Sequence, residues 1–169
     1  MSATEIGFAI ALPPGWEAID LLASDTGAFD ATVADAIEVA RRGGEHAQLL
    51  MLAALVAMTP DGQPLSAGLA VTFADRQAPV SEAELAPESF PDVADVTAFE
   101  LPVGAGLRVR HVAPAEVLAG REPLPMLRLQ YLLHTSRGLL TLTFTTAQAP
   151  HADVWNGLFD AMAATCELA

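Results

Sequence analysis

Two runs of strict period-two alternation, separated by a tight turn, constrain this chain more than any other feature. Leu127, Leu129, Tyr131 and Leu133 alternate with Arg128, Gln130, Leu132 and His134; after Ser136-Arg137-Gly138, Leu140, Leu142 and Phe144 alternate with Thr141, Thr143 and Thr145. Successive side chains of a strand point to opposite faces, so the two runs predict an antiparallel hairpin with one apolar and one polar face. In the segment that follows, Ala152 to Leu168, the residues Val154, Trp155, Leu158, Phe159, Met162, Ala163 and Cys166 recur at spacings of three and four. That stripe predicts a helix packed on a sheet.

The rest of the chain reads as more strands and one more helix. Ile6 to Leu12 is a short apolar strand that Pro13-Pro14-Gly15 ends in a turn before Trp16, since proline lacks a ladder donor and glycine opens positive φ. Phe29, Val33, Ile37 and Ala40 mark a surface helix over Phe29 to Arg42, with Ser24 or Asp25 capping an earlier turn and Gly43-Gly44 as its stop. Gln48 to Met58 suits either a buried helix or a strand, and the following Pro60-Asp61-Gly62 favours a strand paired with Leu65 to Phe73. Ser81 to Glu88 forms a short helix within the acidic 75 to 100 stretch. Val96 to Pro102 and Gly106 to Val112 are two further strands around a Val103-Gly104-Ala105 turn, and a Pro- and Gly-rich loop from about Ala113 to Pro125 leads to the hairpin. The expected fold is α+β, a mainly antiparallel sheet flanked by helices, with residues 1–169 forming a single domain.

Charge sets the classes of partner. The chain carries 21 acidic and 8 basic residues, a net charge of −13, and every basic residue is an arginine. A field of that sign repels phosphate backbones and anionic lipid, which excludes nucleic acid and membrane as general partners. The same acidity keeps a chain that is 52% hydrophobic in solution. The lone Cys166 cannot make an intramolecular disulfide, the start lacks a basic segment ahead of a hydrophobic one, and the most apolar internal stretch is about half the length of a membrane span. A cytoplasmic location follows.

The order of these elements, with the Leu12-Pro13-Pro14-Gly15-Trp16 entry, the Ala149-Pro150 step into the last helix and Phe159-Asp160-Ala161-Met162 within it, resembles the Mog1/PsbP-like α/β/α sandwich. That group includes DcrB-like proteins and secretion-associated relatives and chaperones. The resemblance implies a non-catalytic scaffold that binds other proteins, and it carries no common catalytic motif. The chain departs from the lipoprotein members in having no signal peptide or lipidated cysteine near its start.

The residues themselves point away from catalysis. His46, His111, His134 and His151 show none of the spacings that set metal ligands on one face. His151 and Asp153 read as a polar helix start, with the acid at the positive end of the dipole. Gly-x-Ser-x-Gly is absent, Cys166 sits on an apolar stripe, and Val103-Gly104-Ala105-Gly106-Leu107 offers half a phosphate loop in a chain without lysine. No catalytic residue, metal or cofactor is assigned.

Two surfaces remain as candidates. If Leu107, Val109 and His111 point inward, Arg108 and Arg110 share an outer face with Arg128, Gln130, His134, Thr141, Thr143 and Thr145, a platform suited to a carboxylate, a phosphate or an acidic peptide. The ordinary alternative is a solvated face, or arginines paired with the acidic stretch. Leu49, Leu52, Leu55 and Met58, or Leu132 with Leu139, form the second candidate, an apolar patch for a homodimer or a client. The favoured function is a non-enzymatic protein-interaction module, an accessory or chaperone-like protein linked to secretion. The alternative is a small-molecule-binding or unrecognised enzymatic domain.

Overall fold

The computed structural model describes residues 6–19, 47–62, 64–85, 93–114, 125–146 and 151–169. In chain order the elements are β1 (Phe8–Ala9), β2 (Trp16–Ala18), β3 (Ala47–Met58), β4 (Pro64–Ala74), a 3-10 turn (Glu82–Leu85), β5 (Val93–Leu101), β6 (Gly104–Pro114), β7 (Pro125–His134), β8 (Leu139–Thr146), α1 (Ala152–Ala163) and β9 (Glu167–Leu168). Seven strands form one sheet in the order β2-β3-β4-β8-β7-β6-β5, and β1 pairs with β9 in a second, two-stranded sheet. Every pairing is antiparallel.

Local chemistry fixes the turns. Gly15 at φ +90° follows Pro14, and the Trp16 amide donates to the Pro13 carbonyl at 3.1 Å, the proline-glycine arrangement of a type II turn. Between β7 and β8 the Thr135 amide and hydroxyl both donate to the Gly138 carbonyl at 2.9 Å. Gly138 has φ +150°, and a Cβ there would lie 2.5 Å from the Ala74 carbonyl oxygen of β4, so only glycine fits.

The sheet has two unlike faces. One carries Ala53, Leu55, Leu69, Val71, Leu127, Leu129, Tyr131, Leu133, Leu140, Leu142 and Phe144, and α1 lays Trp155, Phe159, Met162 and Ala163 on it. Phe159 stacks on Phe144 with centroids 4.7 Å apart and meets Trp16 edge-on at 6.5 Å. Burial of each large side chain at this layer contributes about 1.5–3 kcal/mol. The second face holds two smaller apolar clusters, Leu52 and Ala70 with Ile19 and Leu49, and Leu107 and Val109 under Leu85, Val80 and Leu132.

The structure corrects the expected fold class. Among the described residues strand far outweighs helix, and one α-helix, Ala152–Ala163, is present; the fold is sheet-dominated and is not a helix-flanked α/β/α sandwich. The expected helix over Phe29 to Arg42 lies outside the described residues. The last helix is shorter than its stripe implies. At Ala163 it tightens into i→i−3 bonds from Thr165 to Met162 and from Cys166 to Ala163, and Glu167 and Leu168 then pair with Ala9 and Phe8; local periodicity does not see that long-range pairing. The Ser81 helix is a single 3-10 turn closed as a capping box, the Ser81 amide donating to Glu84 Oε2 at 2.7 Å. Its residues 86–88 lie outside the described set. Among the described residues no helix is long and apolar enough to cross a membrane.

Candidate functional site

Directly paired residues of neighbouring strands share a face, and the β6–β7 register sets Arg108 opposite Tyr131, Arg110 opposite Leu129 and His111 opposite Arg128. Arg108 and Arg110 therefore stand on the helix-covered face. Arg128, Gln130, His134, Thr141, Thr143 and Thr145 stand on the other, together with Leu107, Val109 and His111. The expected single arginine platform is thus two groups on opposite sides of the sheet. The expectation assumed one apolar face; Leu107 and Val109 belong instead to the separate cluster on the second face.

On the helix side Arg108 is tied to α1. Its Nε and Nη2 donate to Asp160 Oδ1 and Oδ2 at 2.9 and 3.1 Å, a bidentate fork. The Tyr131 hydroxyl donates to the same Oδ1, and the Arg108 guanidinium lies 6.0 Å from the Phe99 ring centroid. Burial works against the Arg108 charge, but the neighbouring Tyr131 oxygen and Asp160 carboxylate outweigh it, so its pKa stands above the usual value. The Tyr131 phenol is pushed far above its ordinary range, first by burial and then by the Asp160 carboxylate it bonds. This cluster fastens the helix to the sheet and is chemically quiet. Arg110 lies next to Asp95 across the β5–β6 pairing.

On the second face a hydrogen-bond track runs across three strands. His111 Nε2 donates to Gln130 Oε1 at 2.8 Å, and Gln130 Nε2 donates to Thr143 Oγ1 at 3.2 Å. His111, Thr143 and Thr145 are buried, and Thr145 Oγ1 has no hydrogen-bond partner among the described residues. Thr141 is half-buried, and His134 Nε2 donates to the Gln77 carbonyl at 2.6 Å. Arg76, the basic residue of the acidic stretch, pairs with Glu84 at 2.6 Å. His151 is exposed at the start of α1, and His46 lies outside the described residues. No three His, Cys, Asp or Glu side chains gather for a metal among the described residues.

Of the apolar patch, Leu52 and Leu55 are buried, Leu49, Leu132 and Leu139 are half-buried, and only Met58 is well exposed. No continuous apolar surface results from them.

A feature that residue chemistry alone missed is the sheet edge. β5 pairs only with β6, and among the described strands nothing lies on its outer side; Ala94, Asp95, Thr97, Ala98 and Glu100 are exposed. The two-residue turn Pro102-Val103 makes Leu101–Gly104 a hydrogen-bonded pair. Thr97 and Phe99 therefore spend their backbone groups on β6, while Val96, Ala98 and Glu100 turn theirs outward. The strand contains neither proline nor lysine, two of the common devices that blunt an edge. Among the described residues its guards are a bulge between Val93 and Asp95 and the two acids Asp95 and Glu100. The signal was present as the expected Val96 to Pro102 strand, but its edge position depends on the order of all seven strands.

No protein-family model, curated protein or solved structure matches the chain.

Proposed function

We propose that this protein is a non-enzymatic protein-interaction module that docks an extended partner segment along the open edge of its sheet. The observation that carries this reading is β5 itself, nine residues at the sheet margin with outward backbone donors and acceptors and exposed side chains. Strand addition uses such an edge: main-chain bonds supply affinity and alternate side chains supply selection. The arginine cluster supports the reading by default, since Arg108 is committed to Asp160 and leaves no reactive group there. The proposed setting is the cytoplasm, where a single buried, uncrosslinked Cys166 is the ordinary state.

The test is affinity purification from native cells with the wild-type chain and with Ala98→Pro. Proline at an outward-facing edge position removes a donor without touching the β5–β6 ladder. A partner recovered in near-stoichiometric amount with the wild type and lost with Ala98→Pro, at unchanged circular dichroism, is the expected result. Equal recovery with both removes the edge as the docking element.

A further inference from the structure

Resting on that reading, we propose that the occupant of the β5 edge is a second copy of this chain, paired antiparallel about a two-fold axis through Thr97. The antiparallel register that sets Thr97 opposite itself pairs the regular stretch Asp95–Phe99 with its own copy, clear of the bulge between Val93 and Asp95. Residue parity is preserved over that stretch, so helix-side residues meet helix-side residues and the seven-stranded sheet continues into its mate as an isologous interface. The outward backbone groups then match: Val96 faces Ala98, and each offers the other a donor and an acceptor.

Charge fits that register. Asp95 falls opposite the partner's Phe99, so over that stretch no acid faces an acid in a chain with a net charge of −13. Arg108 stands over the Phe99 ring, so each Asp95 comes up against the partner's Phe99 and the cation on it, while its own Arg110 lies on the other side. Two such acid-to-arginine contacts form per dimer. Opposing this, the like net charges of two copies repel, and that repulsion is screened above about 0.1 M salt.

The experiment combines sedimentation equilibrium at about 0.15 M salt with cysteine cross-linking. A non-hydrogen-bonded pair on the two-fold has its Cα atoms about 4.5 Å apart, within disulfide reach, and Cys166 is buried and does not compete. Wild type sediments as a dimer, Thr97→Cys oxidises to a covalent dimer, and Asp61→Cys, at an exposed turn, does not. Ala98→Pro becomes monomeric, and Asp95→Arg, which brings like charges together beside the partner's Arg108, weakens association at least tenfold. A wild type that stays monomeric at 100 µM overturns the proposal, as does a dimer that Ala98→Pro and Asp95→Arg leave intact and Thr97→Cys fails to trap. If a monomeric wild type nonetheless captures a partner that Ala98→Pro loses, self-pairing falls and the edge-docking reading stands; if Ala98→Pro changes neither measurement, both fall.

Discussion

Arg108 of β6 and Asp160 of α1, 52 residues apart in sequence, meet in a bidentate pair at 2.9 and 3.1 Å. Both side chains are partly screened from water, so the pair is stronger than a surface ion pair. Among the described residues it ties α1 to the sheet through side chains of both. Asp160→Ala is expected to cost about 2 kcal/mol, because it strands the Arg108 guanidinium and the Tyr131 hydroxyl together. Asp153→Ala, at an exposed position in the first turn, costs under about 1 kcal/mol. Urea denaturation of the two variants beside wild type checks the difference, and equal losses would count against a fastening role for the pair.

Tyr131 is the chain's only tyrosine, so alkaline titration followed near 295 nm reports a single phenol. Its folded pKa lies above the unfolded value of about 10. Above that pH the folded chain keeps a proton the unfolded chain has lost, so stability falls as pH rises. Cys166, pushed up to about 11 by burial, acts in the same direction from its unfolded value near 9. Both contributions are complete below about pH 9 and are lost progressively above it. Phenolate absorbance is expected only together with unfolding; a phenol titrating near pH 10 in a protein with native circular dichroism would show the burial to be wrong.

Two of the buried threonines of β8, Thr143 and Thr145, respond in opposite senses. Thr143→Val removes the acceptor of the Gln130 amide and costs about 1–2 kcal/mol, whereas Thr145→Val removes a hydroxyl without a partner among the described residues and is neutral or stabilising by up to about 1 kcal/mol. Thermal melts resolve the pair, since about 1 kcal/mol moves the midpoint by about 2–4 °C at this chain length. A loss at Thr145 as large as at Thr143 would reveal a bonded hydroxyl.

Two glycines make a matched comparison. A Cβ on Gly106 would lie 1.8 Å from the Leu132 carbonyl oxygen of β7, while one on Gly157, within α1, meets nothing within 4 Å. Gly106→Ala forces β6 off β7 and costs about 3 kcal/mol; Gly157→Ala relieves a helix-interior glycine and adds about 0.5–1 kcal/mol. Differential scanning calorimetry gives both signs, and a Gly106→Ala melt within error of wild type would contradict the close strand approach.

Gly106 also shows where sequence reasoning reaches its limit. Val103-Gly104-Ala105, just before it, reads as a turn, because glycine most often serves positive φ, but the turn is Pro102-Val103, and Gly104 and Gly106 both lie in β6, pressed against β7. The hairpin of β7 and β8 was legible to the face, since alternation is written in those sixteen or so residues. Strands near 48–58, 65–73, 96–102 and 106–112 were legible to within a few residues. The placement of Arg108 was not. Whether its side chain points to helix or away depends on pairing with Tyr131, and on the second face holding apolar residues of its own. The expected α/β/α sandwich failed for a related reason: it rested on the order of elements, and order does not fix how many layers cover a sheet.

The small sheet of β1 and β9 holds the two ends of the described chain side by side, the Ala169 amide donating to the Gly7 carbonyl at 2.8 Å and the Ala11 amide to Thr165 Oγ1 at 2.9 Å. A short peptide bridge from Ala169 to Gly7 would close the backbone into a ring without disturbing the seven-stranded sheet. New ends opened at the exposed Asp61-Gly62 tip would then give a permuted chain in which the strands are the same but the order of synthesis is not. In mechanical terms the same clip has its own mode of yielding: tension on the two ends of the described chain opens β1 from β9 one pair after another, Phe8–Leu168 before Ala9–Glu167.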